Sequence, residues 1–264
     1  MKSKTTLYFL IIIAISILLA WILFTPPGLL GKADAIGYAV CHRIAARTFK
    51  IIDRPIAMCA RCTGQYLGAV IAILYAGLRG RRRAGWPNKK VLALLGIFVG
   101  AYGVDGVNSY LHLYPNLGQF YLYEPNNILR LLTGTGMGLV IGLVVWIMLQ
   151  SVVWEKVEDE PVLSGFWQWA WLPLLALGVD GLVLTENPLV LYPLTLISAL
   201  GVVGLLTILY ALIWIILFRV ENTFNRLRDL MWPLLAGFSM AMLQILILDF
   251  LRYWATGNWD GFNL

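Results

Sequence analysis

Charge is scarce in this chain. Asp, Glu, Lys and Arg together make up 13% of its 264 residues, about half of the roughly 25% usual in soluble domains. The motifs that announce familiar soluble chemistry are missing as well. There is no Walker loop, no Rossmann glycine fingerprint, no H-E-x-x-H and no G-x-S-x-G, which removes the mechanisms tied to those patterns. The longest stretches between apolar runs are about 38 and 19 residues, too short for a separate soluble domain. Any chemistry of this chain takes place at a membrane face.

Hydrophobic residues account for 60% of the sequence. Seven runs approach or exceed the about 18 residues needed to cross a hydrocarbon core of roughly 30 Å. They lie at about 7–24, 60–79, 91–108, 128–150, 166–184, 190–218 and 230–251. Backbone groups in lipid must be satisfied within their own segment, so these runs are read as helices. The expected fold is all-α, a polytopic membrane bundle of about seven transmembrane helices. Trp21, Trp86, Trp154, Trp167, Trp169, Trp171, Tyr192, Trp232 and Trp254 crowd the expected helix ends, as an interfacial aromatic belt does. The first run is longer than a signal-peptide core, and Phe24-Thr25-Pro26-Pro27 is not a small-x-small cleavage site, so it reads as an uncleaved anchor. Three regions follow: an anchor at 1–30, a membrane domain with a Cys/His loop at 31–150, and a three-helix membrane region at 151–264.

Lysine and arginine set the orientation. Summed over alternate loops, 12 basic residues lie on the side of the N-terminus and seven on the other. The first group includes Lys2, Lys4 and the run Arg79, Arg81, Arg82, Arg83, Lys89, Lys90. This places the N-terminus in the cytoplasm and the Cys/His loop outside it. Against that stands the loop itself, which carries Lys32, Arg43, Arg47, Lys50, Arg54 and Arg61. The net charge of +6 suits basic loops on anionic lipid. The lipid bilayer is the expected partner and nucleic acid is not; the sequence specifies no protein partner.

The three cysteines, Cys41, Cys59 and Cys62, fall within about 22 residues, and His42, one of two histidines, adjoins the first. Soft metal ligands gathered in one loop point to a site. Cys59-x-x-Cys62 has zinc-knuckle spacing, and Cys41 or His42 can complete it. Neighbours such as Cys41 and His42 rarely reach one ion together. The set therefore offers three thiolates and a fourth position for His42, Asp105, His112 or water, with zinc the expected metal. Thiol–disulfide exchange is the alternative: Cys59 and Cys62 open a helix, and a helix N-terminus together with Arg61 favours thiolate. Haem attached through C-x-x-C-H is not expected because Thr63 follows Cys62; His42 and His112 could be axial ligands to a haem b, though two histidines in separate loops are more often ordinary polar residues. Transport of an ion or small solute is a third reading.

Further polar residues fall near or inside the runs. Gly103-Val104-Asp105-Gly106 and Gly178-Val179-Asp180-Gly181 close two runs 75 residues apart, and Tyr114-Pro115 and Tyr192-Pro193 follow them, so a duplicated helix pair is one reading and chance the other. Asp105 and Asp180 read either as functional intramembrane acids or as carboxylates at interface depth. Asp249 reads as the latter, solvated or paired with Arg252. Arg130 is the expected partner of Asp105. Asn126 and Asn127 read as a helix cap. Gly134, Gly136, Gly138 and Gly142 read as a helix-packing face. Around the thiols the expected supporting residues are Asp105, Asn127, Arg130, Arg47, Arg61 and Asp180.

Cys41-His42-Arg43, Arg47-Thr48-Phe49, Pro55 and Cys59-Ala60-Arg61-Cys62-Thr63-Gly64-Gln65-Tyr66-Leu67-Gly68, followed by Asn126-Asn127-Ile128-Leu129-Arg130-Leu131-Leu132-Thr133-Gly134, resemble the signature of the DUF2085 family of prokaryotic membrane proteins. The resemblance spans about residues 38–142. It implies a membrane domain and carries no mechanism, so whether the chain is an enzyme stays open.

Overall fold

The computed structural model describes residues 4–80, 82–112 and 121–262; Lys2, Arg81 and Tyr114-Pro115, used above, lie outside them. Among these residues eight α-helices run in the order α1 (Lys4–Phe24), α2 (Gly28–Val40), α3 (Ala60–Arg79), α4 (Lys89–Leu111), α5 (Asn127–Val153), α6 (Phe166–Leu184), α7 (Pro188–Leu217) and α8 (Met231–Thr256). Two small sheets occupy opposite ends. β1 (Lys50–Ile51) pairs antiparallel with β2 (Arg54–Pro55), and β3 (Arg83–Gly85) pairs parallel with β4 (Glu158–Pro161). The protein is an integral, multi-pass membrane protein.

Among the described residues six helices are long and apolar enough to cross a bilayer: α1 and α4 through α8. The remaining expected span, α3, has 20 residues, enough for about 30 Å, but is too polar to meet the same standard on composition. Its position explains its composition. Ala60, Thr63, Gly64, Leu67, Gly68, Ala69, Ala72 and Ala76 are all buried, so α3 lies against other helices where its neighbours face lipid. The extra helix, α2, falls between the first two apolar runs, in the stretch expected to be the Cys/His loop. Its 13 residues are too few to cross. It packs on α7 and α8 at the end of the bundle.

The tightest seam joins α3 to α5. A side chain on Gly64 would run into the Leu131 carbonyl oxygen, and one on Gly134 into that of Arg61. Gly68 meets the Thr135 carbonyl in the same way, Gly138 that of Gln65 and Gly142 that of Ala69. Lipid tails are as apolar as leucine, so helices in a bilayer associate by close packing, and small residues permit it. The expected glycine face is therefore this seam, except that Gly136 turns toward Phe98 of α4.

Alternate loops collect at opposite ends. At one end β3 lies on β4, the Arg82 guanidinium donates to the Asn225 carbonyl at 2.6 Å, and Trp154 bridges Phe224. At the other end the Lys50 amide donates to Glu186 at 3.1 Å, and Asn127 donates to the Ala46 carbonyl at 3.3 Å. The cysteines belong to this second end.

Candidate metal centre at the membrane face

Two helix ends converge to make the site. Cys41 caps the C-terminus of α2, its amide donating to the Gly37 carbonyl at 2.8 Å. Cys59 is the N-cap of α3, and Cys62 lies in the first turn of that helix. A side chain on Gly37 would collide with the Ala57 carbonyl, so only glycine lets α2 press onto the strand leading into Cys59. Beneath the thiols lies a buried apolar cluster of Trp21, Ile36, Met58, Val202 and Ile245 among others. Cys41 and Cys59 are buried and Cys62 is partly so, all three free.

The three Sγ atoms lie within 4.8 Å of one another. Tetrahedral zinc with bonds of about 2.3 Å holds its sulfurs about 3.8 Å apart, so a small inward movement closes the trio on one ion. The Cys41 sulfur already accepts backbone N–H groups from Arg43 at 3.4 Å and Cys59 at 3.3 Å. Such donors stabilise thiolate and orient it toward a metal. The N-terminus of α3 adds its positive end to the same place. Hydrogen bonds from the Cys59 and Cys62 thiols pull Cys41 well below the ordinary thiol range, and burial opposes them. The shared bond with Cys41 pushes Cys59 up to about 12. Of the three sulfurs, Cys41 is the one that accepts two backbone N–H groups.

His42 stands beside the trio. Its Nδ1 accepts the Ile44 amide proton at 3.1 Å, an arrangement that fixes the neutral ring with its proton on Nε2. Burial, and then the nearby guanidiniums of Arg47, Arg61 and Arg130, hold its pKa below the usual value, with Cys41 pulling the other way. His112 ends α4 and stacks edge-on against Tyr121 at 5.2 Å; it is not one of the clustered ligands.

The expected Asp105–Arg130 pair does not form. Asp105, 1% exposed, is held by Arg61, whose Nε donates at 3.1 Å and whose terminal nitrogen makes the closest contact. Tyr123 donates to its other oxygen at 2.9 Å. Thr133 stands 3.3 Å away, with its hydroxyl nearer the Leu129 carbonyl at 2.8 Å. Arg61 wins because the first turn of α3 puts it opposite Asp105, while Cys62 and Gly64 take the other faces. Arg130 instead donates to Asn127 at 2.9 Å. Asn126, as expected, caps α5 through the Leu129 amide at 2.8 Å. Arg47 donates to the Ser109 carbonyl at 3.0 Å; burial, then the charge of Arg61, weighs against its protonated form, although arginine remains a cation.

The other two acids lie apart from the thiols. Asp180 accepts from Thr135 at 2.7 Å, and Asp249 from the Trp21 indole at 3.1 Å. Each is buried and keeps one oxygen without a partner among the described residues. Asp249 is thus neither solvated nor paired with Arg252. Arg252 serves the site: it donates to the carbonyls of Tyr38 at 2.6 Å, Cys41 at 2.7 Å and His42 at 3.4 Å, and stacks on Tyr38. The segment after α8 follows it, with the Phe262 amide bonded to the His42 carbonyl at 3.0 Å and Arg43 bonded to the Trp259 carbonyl at 2.9 Å. Sequence reasoning missed this strap. The one signal was an arginine directly after the last apolar run.

Comparison with known proteins gives a consistent picture. Residues 41–144 match a family described as "Predicted membrane protein (DUF2085)". An uncharacterized protein of Methanothermobacter thermautotrophicus is 34% identical over 104 residues, covering 39% of this chain and 82% of the relative. No solved structure matches the chain.

Proposed function

Starting from a chain that belongs to the DUF2085 family of predicted membrane proteins, we propose that it binds one zinc ion through Cys41, Cys59 and Cys62 at the extracytoplasmic face. The observation that carries this reading is the trio of sulfurs within 4.8 Å of one another, one already accepting two backbone N–H groups. Three protein ligands leave a fourth coordination position. That is the arrangement in which zinc lowers the pKa of a bound water or polarises a substrate oxygen. Cys41, Cys59 and Cys62 hold the ion. Arg252 and the Arg43 and Cys59 amides keep the Cys41 turn in place. His42 adjoins Cys41 in the chain.

The outward orientation rests on how Lys and Arg divide between the two ends, although the thiol end carries basic residues of its own. Arg43 and Arg54 both pair with Asp34, at 2.9 and 2.6 Å. Arg61 pairs with Asp105, and Lys32 donates to the carbonyls of Ile22 at 2.5 Å and Thr25 at 3.0 Å. The bias counts Lys and Arg as the chain is inserted, whatever they later pair with, so the outward reading rests on 12 basic residues on the side of the N-terminus against seven on the other. At the opposite end Arg79, Arg82, Lys89, Lys90, Lys156, Arg219, Arg226 and Arg228 are exposed.

Metal analysis of the purified full-length protein should find about one zinc per chain, and the content should fall together in Cys41→Ser, Cys59→Ser and Cys62→Ser. Metal-free protein with a reversible Cys59–Cys62 disulfide that survives Cys41→Ser would replace this reading with thiol–disulfide exchange. For the orientation, impermeant maleimide on intact cells treated with a reductant and chelator should label the cysteines. Labelling only after lysis would reverse the topology.

A further inference from the structure

Three guanidinium groups converge beside the thiols, and a carboxylate answers only one of them. Arg61 takes Asp105, and its terminal nitrogen also donates to the Ser109 hydroxyl at 3.0 Å. Arg47 donates to the carbonyl of that same Ser109 at 3.0 Å. Arg130, 6% exposed, gives one nitrogen to Asn127 at 2.9 Å, while its Nε has no acceptor among the described residues. Asn127 reaches back to the Ala46 carbonyl at 3.3 Å, next to Arg47. The 3-10 turn Ala45–Arg47, the end of α4 and the start of α5 are thus knit into one basic patch.

Charge bookkeeping leaves this patch in excess. Among the described residues no carboxylate pairs with Arg47 or Arg130. Residues 113–120, which adjoin the patch in sequence, contain no Asp or Glu. Arg61 and Asp105 cancel. Three thiolates on a divalent ion carry one net negative charge, which leaves at least one cation without a counter-charge. A nine-tenths buried guanidinium with an unmade hydrogen bond is costly unless something fills that position.

We propose that Arg47 and Arg130, braced by Asn127, seat a phosphate-type oxyanion, either free phosphate or the phosphate of a lipid headgroup. The guanidinium fork presents paired donors that match the edge of such a group. Arg130 lies in the first turn of the 27-residue α5, where the free N–H groups and helix dipole also favour an anion. Ala46 and Asn126 are exposed and Arg47 and Asn127 half-buried, so the patch opens at the protein surface, at the level where headgroups of the adjoining leaflet lie. The proposal stands independently of the metal reading.

The test uses full-length protein in a neutral maltoside detergent. Thermal unfolding is followed with inorganic phosphate against chloride at matched ionic strength, and separately with phosphatidic acid in mixed micelles. Stabilisation by inorganic phosphate assigns a free-phosphate site; stabilisation by phosphatidic acid alone assigns a headgroup site. In either case Arg130→Gln and Arg47→Gln should each weaken the response by about tenfold or more, the scale of a lost charge-assisted hydrogen bond. Should Arg130→Gln fail to fold, Arg47→Gln, on a half-buried loop side chain, decides the matter. Cys59→Ser should lose metal and keep the phosphate response, so failure of one reading is distinguishable from failure of the other. No stabilisation by either ligand, or an undiminished response in Arg47→Gln, would overturn the proposal.

Discussion

At one end of the bundle Arg83 bridges Glu158 and Glu160 at 3.2 and 3.1 Å on a strand open to water. At the other, Arg61 is turned inward onto a carboxylate that is 1% exposed, and Arg252 onto three backbone carbonyls. The residue type is the same and its work is not. Exposed pairs gain little because water screens both partners and two long side chains must be immobilised. Inward pairs hold helix ends at fixed positions, and their removal strands a partner without solvent. A tally of arginines per loop cannot tell one use from the other. The thiol end carries six basic residues in its first loop, yet of these only Lys50 and Arg54 are exposed.

The sharpest test of this contrast is to remove matched arginines. Arg61→Gln should destabilise the detergent-solubilised protein by about 3–5 kcal/mol, the cost of leaving one member of a buried pair alone. The double variant with Asp105→Asn should lose less than the sum of the two single variants. Strict additivity would mean that the pair is not coupled. Arg252→Gln is next. Losing charge-assisted bonds to the Tyr38, Cys41 and His42 carbonyls should cost about 1.5–3 kcal/mol. It should also weaken zinc by about 10–100-fold, as loss of an outer-shell partner does; equilibrium competition with a coloured chelator reads this directly. A fall in stability with unaltered zinc affinity would make the strap purely structural. At the small end, Arg83→Gln should change stability by less than about 1 kcal/mol, and what it changes should vanish as salt is raised. A loss at Arg83 comparable to that at Arg61 would erase the distinction between the two ends.

The bundle was largely legible because hydrocarbon imposes a length. The apolar runs at 128–150 and 166–184 meet the observed helices Asn127–Val153 and Phe166–Leu184 almost residue for residue. α2 was not legible, because 13 residues rich in glycine and alanine carry neither span length nor a cap signal. The cysteine trio was readable, since few alternatives exist when a chain has three cysteines. Pairings among arginines were not. Asp105 and Arg130 sit on adjacent helices, and no spacing in the sequence reports that Arg61, 44 positions away, faces the carboxylate instead. That outcome depends on how α3 is rotated. The rotation follows from Gly64 and Gly68 pressing on α5, a tertiary fact.

The strap over the thiol turn also sets an order of events during synthesis. Arg252 and Cys41 are 211 residues apart, so at about 5–20 residues per second the ribosome makes the turn about ten to forty seconds before its clamp. Throughout that interval the Cys41–Arg43 turn exists without Arg252, Trp259 or Phe262 across it. Thiols that are buried or partly buried in the finished protein are thus most accessible while the chain is still being inserted. An ion taken up by the proposed site would meet its widest opening before the last helix arrives.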